Sequence, residues 1–266
     1  MSNVFDVETV SWDNGKEHLC RMDLVAEEPL SIRIQGRPYS VIMRTPGDER
    51  AHAAGFCLGE GIVDRLSDFQ SISRCQGEDS NVIAVTLTDE RRQRIEHMMD
   101  RRGFVSQTSC GICGREVIDD VCRFAGPLSD RSVISIGHAL AAVDHFNGLQ
   151  ELRKKTSATH AAAIYDATLA VLSISEDVGR HNALDKALGR LFLDRTLSDA
   201  VLAILSSRIS YELVQKAARA RIPILLAISR PTTLAVSLAK ELNLTMACLS
   251  RDSDLYVFCG GQRLIA

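Results

Sequence analysis

The chain has no long apolar run. Its most apolar short stretch, Ile222 to Ile228, contains Pro223 and falls far short of the roughly 20 residues that a membrane helix needs. There is no excess of charge of one sign: the formal net charge is -3, which offers no bulk attraction for nucleic acid or acidic membranes. Neither partner is expected. A basic start followed by an apolar stretch is missing too, since Met1 to Gly15 is polar and acidic; a typical secretory signal is therefore not expected. The eight cysteines are not spaced as a disulfide framework, and no second CxxC accompanies the one present. These absences set the expectation of a reducing, cytoplasmic setting, where a close cysteine pair serves redox, metal or sulfur chemistry.

What is there suits a soluble α/β protein. The 266 residues are 45% hydrophobic and 24% charged, enough for one large domain or two of ordinary size. The first half predicts a hairpin (strands 30–34 and 39–43), a turn at Thr45-Pro46-Gly47-Asp48 and a helix closing near Gly59 or Gly61. A strand over 82–87 and a charged helix capped by Thr88 or Asp89 follow, with Ile95, Met98 and Met99 inward. Gly126-Pro127 is the candidate boundary between a first domain, 1–126, and a second, 127–266. The second half predicts a helix over 138–155, then an antiparallel pair, 160–165 and 169–175. After it come helix 182–193, strand 200–205, helix 211–220, strand 223–228, helix 232–242 and strands 245–249 and 255–258. This alternation implies a layered α/β sheet, mixed because of the antiparallel pair.

The sharpest local feature is Thr108-Ser109-Cys110-Gly111-Ile112-Cys113-Gly114-Arg115-Glu116. Two thiols three positions apart lie within reach on one turn, and the flanking glycines permit unusual backbone angles. The start of a helix carrying Val117, Ile118 and Val121, with Arg115 beside it, favours the thiolate, the form that attacks sulfur or binds metal. Three uses compete. A structural zinc site needs two further ligands, for which Cys122 and His97 are available. A thioredoxin-like exchanger wants a βαβ setting, which this neighbourhood fits poorly. A persulfide carrier needs one exposed nucleophile and a neighbour able to release the sulfur.

A second motif, Asp177-Val178-Gly179-Arg180-His181-Asn182-Ala183-Leu184-Asp185-Lys186, lies between a strand and a helix. Arg180, His181 and Asn182 crowd the helix N-terminus, a natural anion site, and His181 and Asp185 share a face at i and i+4. The alternative is an ordinary capped helix whose polar residues satisfy one another. Ser206-Ser207-Arg208 and Ser229-Arg230-Pro231-Thr232 also follow strands and open helices, by anion docking, by capping from Ser210 and Thr232, or by both. Ligands of open α/β sheets favour strand C-terminal ends, so these stretches are expected to line one crevice.

Together these residues resemble the FdhD family, the accessory sulfurtransferases of formate dehydrogenase. The matching stretches are Glu27-Glu28-Pro29-Leu30, Met43 to Asp48, Thr108 to Gly114, Glu176 to Lys186, Arg208 to Ala217 and Pro231 to Leu238, in family order over nearly the whole chain. The resemblance implies a cytidine-deaminase-like α/β domain with a smaller N-terminal α/β domain, commonly as a homodimer. It implies that a cysteine desulfurase loads a persulfide onto Cys110, with Cys113 as relay or resolving partner. The sulfur then passes to the molybdenum or tungsten of a bis(molybdopterin guanine dinucleotide) cofactor serving formate dehydrogenase. No intrinsic metal is implied. Arg180, His181 and Arg208 are candidates for the cofactor's phosphates. Leu249, Ser250, Arg251, Asp252, Ser253 and Asp254 are candidates for its guanine nucleotide, which GDP would mimic. A zinc deaminase is excluded, because neither His-x-Glu nor Pro-Cys-x-x-Cys occurs. The chain departs from the family at Ser157-Ala158, where a TGG-type run is usual, at Ser207, where SGR is usual, and at Arg230, where a small residue is usual.

Overall fold

A computed structural model describes residues 3–74, 81–102, 122, 125–129, 131–249 and 254–266, with only the backbone of 97–102. The chain opens with a long hairpin, β1 (Val4–Asp13) and β2 (Lys16–Val25). Asn14 and Gly15 join the strands at φ 50° and 77°, the pair of left-handed residues that a tight hairpin turn requires. No element is expected here from the sequence pattern. A second hairpin, β3 (Glu28–Ile34) and β4 (Arg37–Arg44), stands where expected. Next come α1 (Glu49–Gly59), β5 (Phe69–Arg74), β6 (Val82–Leu87) and α2 (Asp89–Arg102). Thr88 starts α2 by accepting the Arg91 N–H at 3.4 Å. Strands β4-β3-β6-β5 form a mixed sheet in which only β3 and β6 run parallel.

The second half carries β7 (Ile134–Ser135), α3 (Ile136–Gly148), α4 (Glu151–Thr156), β8 (His160–Tyr165), β9 (Val171–Asp177) and α5 (Arg180–Asp194). It continues through β10 (Leu202–Leu205), α6 (Tyr211–Arg219), β11 (Ile224–Ala227), α7 (Thr233–Glu241), β12 (Thr245–Leu249), β13 (Leu255–Cys259) and β14 (Leu264–Ile265). Six strands form one mixed sheet in the order β13-β12-β11-β10-β8-β9, with β10, β11 and β12 parallel and the remaining pairings antiparallel. The mixed α/β class read from the sequence is the class observed.

The inner strands β8, β10, β11 and β12 are buried on both faces, which is why they read as largely apolar runs. Ala162, Ile164, Ala203, Leu205 and Leu225 point to the core shared with α5, α6 and α7. Their neighbours Ala163, Tyr165, Leu202, Ile204 and Ile224 point the other way, onto Ala139, Val143 and Phe146 of α3. The first of these cores also takes in Leu30, Ile32, Ile83 and Val85 of the small sheet and the inner side of α1. Apolar packing is thus continuous from the small sheet through α1 and α5 to the large sheet.

Two local expectations need correction. The helix over 138–155 is two helices: Gly148 ends α3, and Gln150, at φ -86° and ψ 78°, starts α4 from a non-helical backbone. The strand placed at 169–175 begins at Val171. Asp166 Oδ1 accepts the N–H groups of Thr168 and Ala170, at 2.8 and 3.0 Å, and Leu169 sits at φ 63°, so a side-chain-held turn occupies the first positions.

Helices α1 and α5 touch backbone to backbone. A Cβ on Gly55 would lie 1.9 Å from the Asp185 carbonyl oxygen, and one on Gly189 would lie 1.8 Å from that of Ala51. Only glycine fits at either position. Gly189→Ala is expected to lower the unfolding free energy by about 2 kcal/mol or more, since backbone cannot yield as a side-chain tip does. Gly148→Ala, with nothing within 4 Å, should be neutral or slightly stabilising. Urea unfolding of the two variants checks the contrast; equal stabilities would contradict the close crossing.

Candidate functional site

The pairing register brings the anion-site candidates to one end of the large sheet. β10, β11 and β12 end there, at Leu205, Ala227 and Leu249, and β9 ends there at Asp177, opposite His160, the first residue of β8. Ser206 closes the end of β10 against β8: its Oγ accepts the Ala161 N–H at 2.8 Å, and its own N–H reaches the Ala161 carbonyl at 3.0 Å. Arg208 follows, exposed, and makes no ion pair among the described residues. Arg230 is exposed after β11, Leu249 is half-buried at the end of β12, and Asp254 is exposed before β13. The topology thus gathers these strand ends at one end of the sheet, where strand polarity leads a ligand crevice to be expected. Ser250, Arg251, Asp252 and Ser253 lie outside the described residues, as do both motif cysteines, Cys110 and Cys113.

Helix α5 starts at this end with Gly179 as its N-cap, and no side chain caps it. Its first-turn N–H groups and the positive end of its dipole therefore face the crevice. Gly179 is needed because a Cβ there would strike the Asn182 amide at 2.5 Å. That amide turns inward, donating to Asp177 Oδ1 at 2.9 Å and the Met43 carbonyl at 2.8 Å. Arg180 stays half-buried, with its Nε shielded and unpartnered among the described residues, as is His160 Nδ1. His181 is half-buried, with its Nε2 3.2 Å from Ser210 Oγ and 3.8 Å from Glu212. Ser210 makes no side-chain cap on α6, contrary to the capping expectation, because its hydroxyl serves His181 and Glu212. Thr232 does cap α7, accepting the Ala235 N–H at 3.3 Å.

Both crevice histidines are kept neutral. Burial, then Lys216 and Arg180, push His181 down to about 4. Burial, then Arg180 and Arg153, lower His160. At neutral pH the fixed positive charge here comes from arginines, Arg180, Arg208 and Arg230 with Arg153 near His160, and the imidazoles act as hydrogen-bonding groups.

The rest of the motif is structural. Asp177 is fully buried and pairs with Lys186 at 2.6 Å, and Lys186 also donates to the Thr45 carbonyl at 2.7 Å. Thr45 answers twice: its N–H reaches Asp177 at 3.1 Å, and its Oγ1 accepts the Val178 N–H at 3.2 Å. The stretches Met43 to Asp48 and Glu176 to Lys186, far apart in sequence, thus bond directly to each other. Asp185, four positions after His181 on α5, pairs with Lys216 of α6, Nζ to Oδ1 2.8 Å. Burial pushes its carboxyl up to about 6, against the pull of Lys216. Sequence reasoning missed Lys216, Lys186 as a partner, and His52, because each acts across more than a hundred residues or across two helices. His52 is 0% exposed, and among the described residues neither of its nitrogens makes a hydrogen bond of good geometry, although the Asn182 side chain lies close by. Burial, then Lys186, Lys216 and Arg44, drive its pKa well below the ordinary value.

Ser157, one of the departures from family glycine, ends α4 in the left-handed region at φ 54°. The backbone there keeps a glycine-like shape although the side chain has changed. Ser207 is buried, its Oγ donating to the Arg208 carbonyl at 2.9 Å. Among the described residues no group of three or more His, Cys, Asp or Glu is placed to hold a metal, and no helix is long and apolar enough to cross a membrane. His97, weighed as a zinc ligand, has its side chain outside the described set, and Cys122 packs against the core.

Comparison with known proteins gives a consistent result. The model of the FdhD/NarQ family matches residues 25–265. A sulfur carrier protein FdhD of Xanthomonas euvesicatoria pv. vesicatoria is 39% identical over 259 residues, covering 97% of this chain and 92% of that one. One of Streptomyces coelicolor is 40% identical over 250 residues, covering 91% and 88%. A crystal structure from Desulfotalea psychrophila, described as a candidate formate dehydrogenase accessory protein, superposes with a TM-score of 0.79 over 99% of this chain and 100% of that chain, at 22% identity. That last likeness establishes a shared fold.

The buried histidine sets a pH dependence. His52 takes up a proton on unfolding below its unfolded value, near 6.5, so the native state is fully favoured above that pH and loses stability as pH falls below it. The loss is about 1.4 kcal/mol per pH unit for one such group. Asp185 acts in the opposite sense between its unfolded value of 3.8 and about 6, so a comparison with a variant is needed. Urea unfolding of wild type and His52→Gln at pH 7.5 and pH 5.5 should show the variant losing less on acidification, by about 1 kcal/mol. Identical losses would contradict a neutral, buried His52.

Proposed function

Because the chain belongs to the FdhD/NarQ family, we propose that it is a sulfurtransferase that carries sulfur on Cys110 to a molybdenum cofactor. A cysteine desulfurase leaves its sulfur on the Cys110 thiolate as a persulfide. The acceptor is the molybdenum or tungsten of a bis(molybdopterin guanine dinucleotide) cofactor on its way into formate dehydrogenase. Cys113 is the resolving thiol: its thiolate attacks Sγ of Cys110, a Cys110–Cys113 disulfide forms, and the outer sulfur departs as hydrosulfide. A cellular thiol then restores the pair. The acceptor is substrate, not resident cofactor, and no intrinsic metal belongs to the scheme. A cytoplasmic homodimer is part of this proposal, as is a cytidine-deaminase-like second domain after residue 126. The three layers built on the six-stranded sheet support the latter.

The observation that carries the binding half is the uncapped start of α5 beside the unpartnered Arg180 Nε, at the end of the sheet that also holds Arg208. A helix N-terminus with guanidinium groups beside it suits the diphosphate of a guanine nucleotide. Neutral His160 and His181 add hydrogen bonds without requiring a second negative charge. Leu249 and Asp254, at the ends of β12 and β13 on the side of the sheet away from β9, flank the segment expected to meet the base.

A second use of the same site, holding the cofactor without moving sulfur, makes different predictions for the two motifs. GDP titrated calorimetrically into the wild-type protein should bind. Arg180→Ala is expected to weaken binding at least tenfold, since hydrogen bonds to a charged group contribute roughly 1.5–3 kcal/mol each, and Cys110→Ala should bind as wild type does. Cys110→Ala should nevertheless yield inactive formate dehydrogenase in cells lacking the native protein. Full dehydrogenase activity with that variant would leave only the holding role.

A further inference from the structure

Three polar side chains meet where α5 and α6 begin. His181, in the first turn of α5, has Nε2 3.2 Å from Oγ of Ser210, the N-cap of α6, and 3.8 Å from Oε2 of Glu212. A serine, a histidine and a glutamate this close invite comparison with an activated nucleophile, but the wiring is wrong for one. In such a triad the hydroxyl and the carboxylate address different ring nitrogens. Here both address Nε2, so Ser210 is not primed to attack. The contact with Ser210 is the ring's sole hydrogen bond among the described residues, which leaves Nδ1 over. The side chain is 33% exposed, so a ligand can reach it.

The protons of this cluster can be assigned. Burial raises the Glu212 carboxyl, but the Ser210 hydroxyl, its own backbone N–H, His181 and Arg180 outweigh that, and it stays ionised at neutral pH. A carboxylate only accepts, and a serine hydroxyl has one proton to give. The Ser210 proton therefore goes to Glu212, and Oγ offers Nε2 a lone pair. Nε2 must carry the N–H of the neutral ring, and Nδ1 carries none. We propose that Nδ1 of His181 is a hydrogen-bond acceptor that selects a hydroxyl on the ligand, a ribose hydroxyl beside the diphosphate. A bare ring nitrogen and a phosphate oxygen both present lone pairs, so His181 cannot serve the phosphates. Those fall to Arg180 and the free N–H groups of α5. The N–H groups of guanine are expected at the segment between Leu249 and Asp254, so the donors next to the diphosphate are those of the sugar. The inference rests on the guanine nucleotide of the proposed function and moves His181 from its phosphates to its ribose.

Two measurements on the full chain test this. Long-range proton–nitrogen NMR at neutral pH reads which ring nitrogen bears the proton, the His181 signals being those missing from His181→Ala. A proton on Nε2 is expected, and one on Nδ1 overturns the proposal. Calorimetry then reads the consequence. The wild-type chain should bind GDP about three- to tenfold more tightly than its 2′-deoxy or its 3′-deoxy form, the factor that one neutral hydrogen bond supplies. His181→Ala, with circular dichroism confirming its fold, should bind GDP and that deoxy form alike. Equal weakening of GDP and both deoxy forms by His181→Ala would mean that the ring donates to the phosphates, and the proposal fails. A wild-type chain indifferent to both hydroxyls also overturns it. No binding of GDP at all overturns the nucleotide reading itself, and the position of the proton still decides whether His181 presents an acceptor.

Discussion

The architecture depends on the contact between two helix backbones. Gly55 and Gly189 remove the side chains that would hold α1 and α5 apart, and the resulting approach puts the first half of the chain directly against the helix that carries the second motif. Polar groups then lock the position. Lys186 ties Asp177 to the Thr45 carbonyl, and Lys216 ties Asp185 to α6. The C-terminal carbonyls of α1 at Leu58 and Gly59 accept from Arg219 and Gln215 of the same α6. Buried charges of this kind add little net stability when paired, but losing one partner costs about 3–5 kcal/mol. They therefore fix one arrangement of α1, α5 and α6 rather than deepen the fold as a whole. The N-terminus of α5 is held where the strands of the large sheet end.

That arrangement divides the second motif by role. Asn182, Asp185 and Lys186 turn inward and are spent on structure, while Arg180 and His181 remain at the crevice. The division explains how a stretch so densely polar can lie at the centre of a protein. At that end burial and the neighbouring cations keep both histidines neutral, so Arg180 keeps its charge beside hydrogen-bonding imidazoles.

Much of this was legible in the sequence. The central strands β10 and β11 are short, wholly apolar and spaced by helices, so the order of elements along the chain and the gathering of strand ends on one side followed from pattern and polarity. The β1–β2 hairpin did not. Asn14-Gly15 is a turn signal, but Val7 and Val10, Phe5 and Trp12 lie on opposite faces, which blurs the alternation that marks a strand with one buried side. The break between α3 and α4 was hidden because Leu149 and Leu152 continue a helical rhythm across it. The ion pairs of Asp177 and Asp185 were invisible for another reason: neighbours at i+4 are read easily, but a lysine nine or thirty-one positions away becomes a partner only once the helices are packed. His181 and Asp185 stand four apart on α5, as the spacing implies, and each takes its partner from α6 or its N-cap.

The crevice and the cysteine motif answer to different chemistry, one to a phosphate-bearing ligand and the other to sulfur, and the proposed function requires both. Its central claim is that the Cys110 thiolate holds the travelling atom. Intact-mass and peptide mass spectrometry of the chain after incubation with a cysteine desulfurase and cysteine test this most directly. The account predicts one added sulfur, located on Cys110, removed by mild reductant and absent in Cys110→Ala. No added sulfur on the wild-type chain, or undiminished loading of Cys110→Ala, would contradict it.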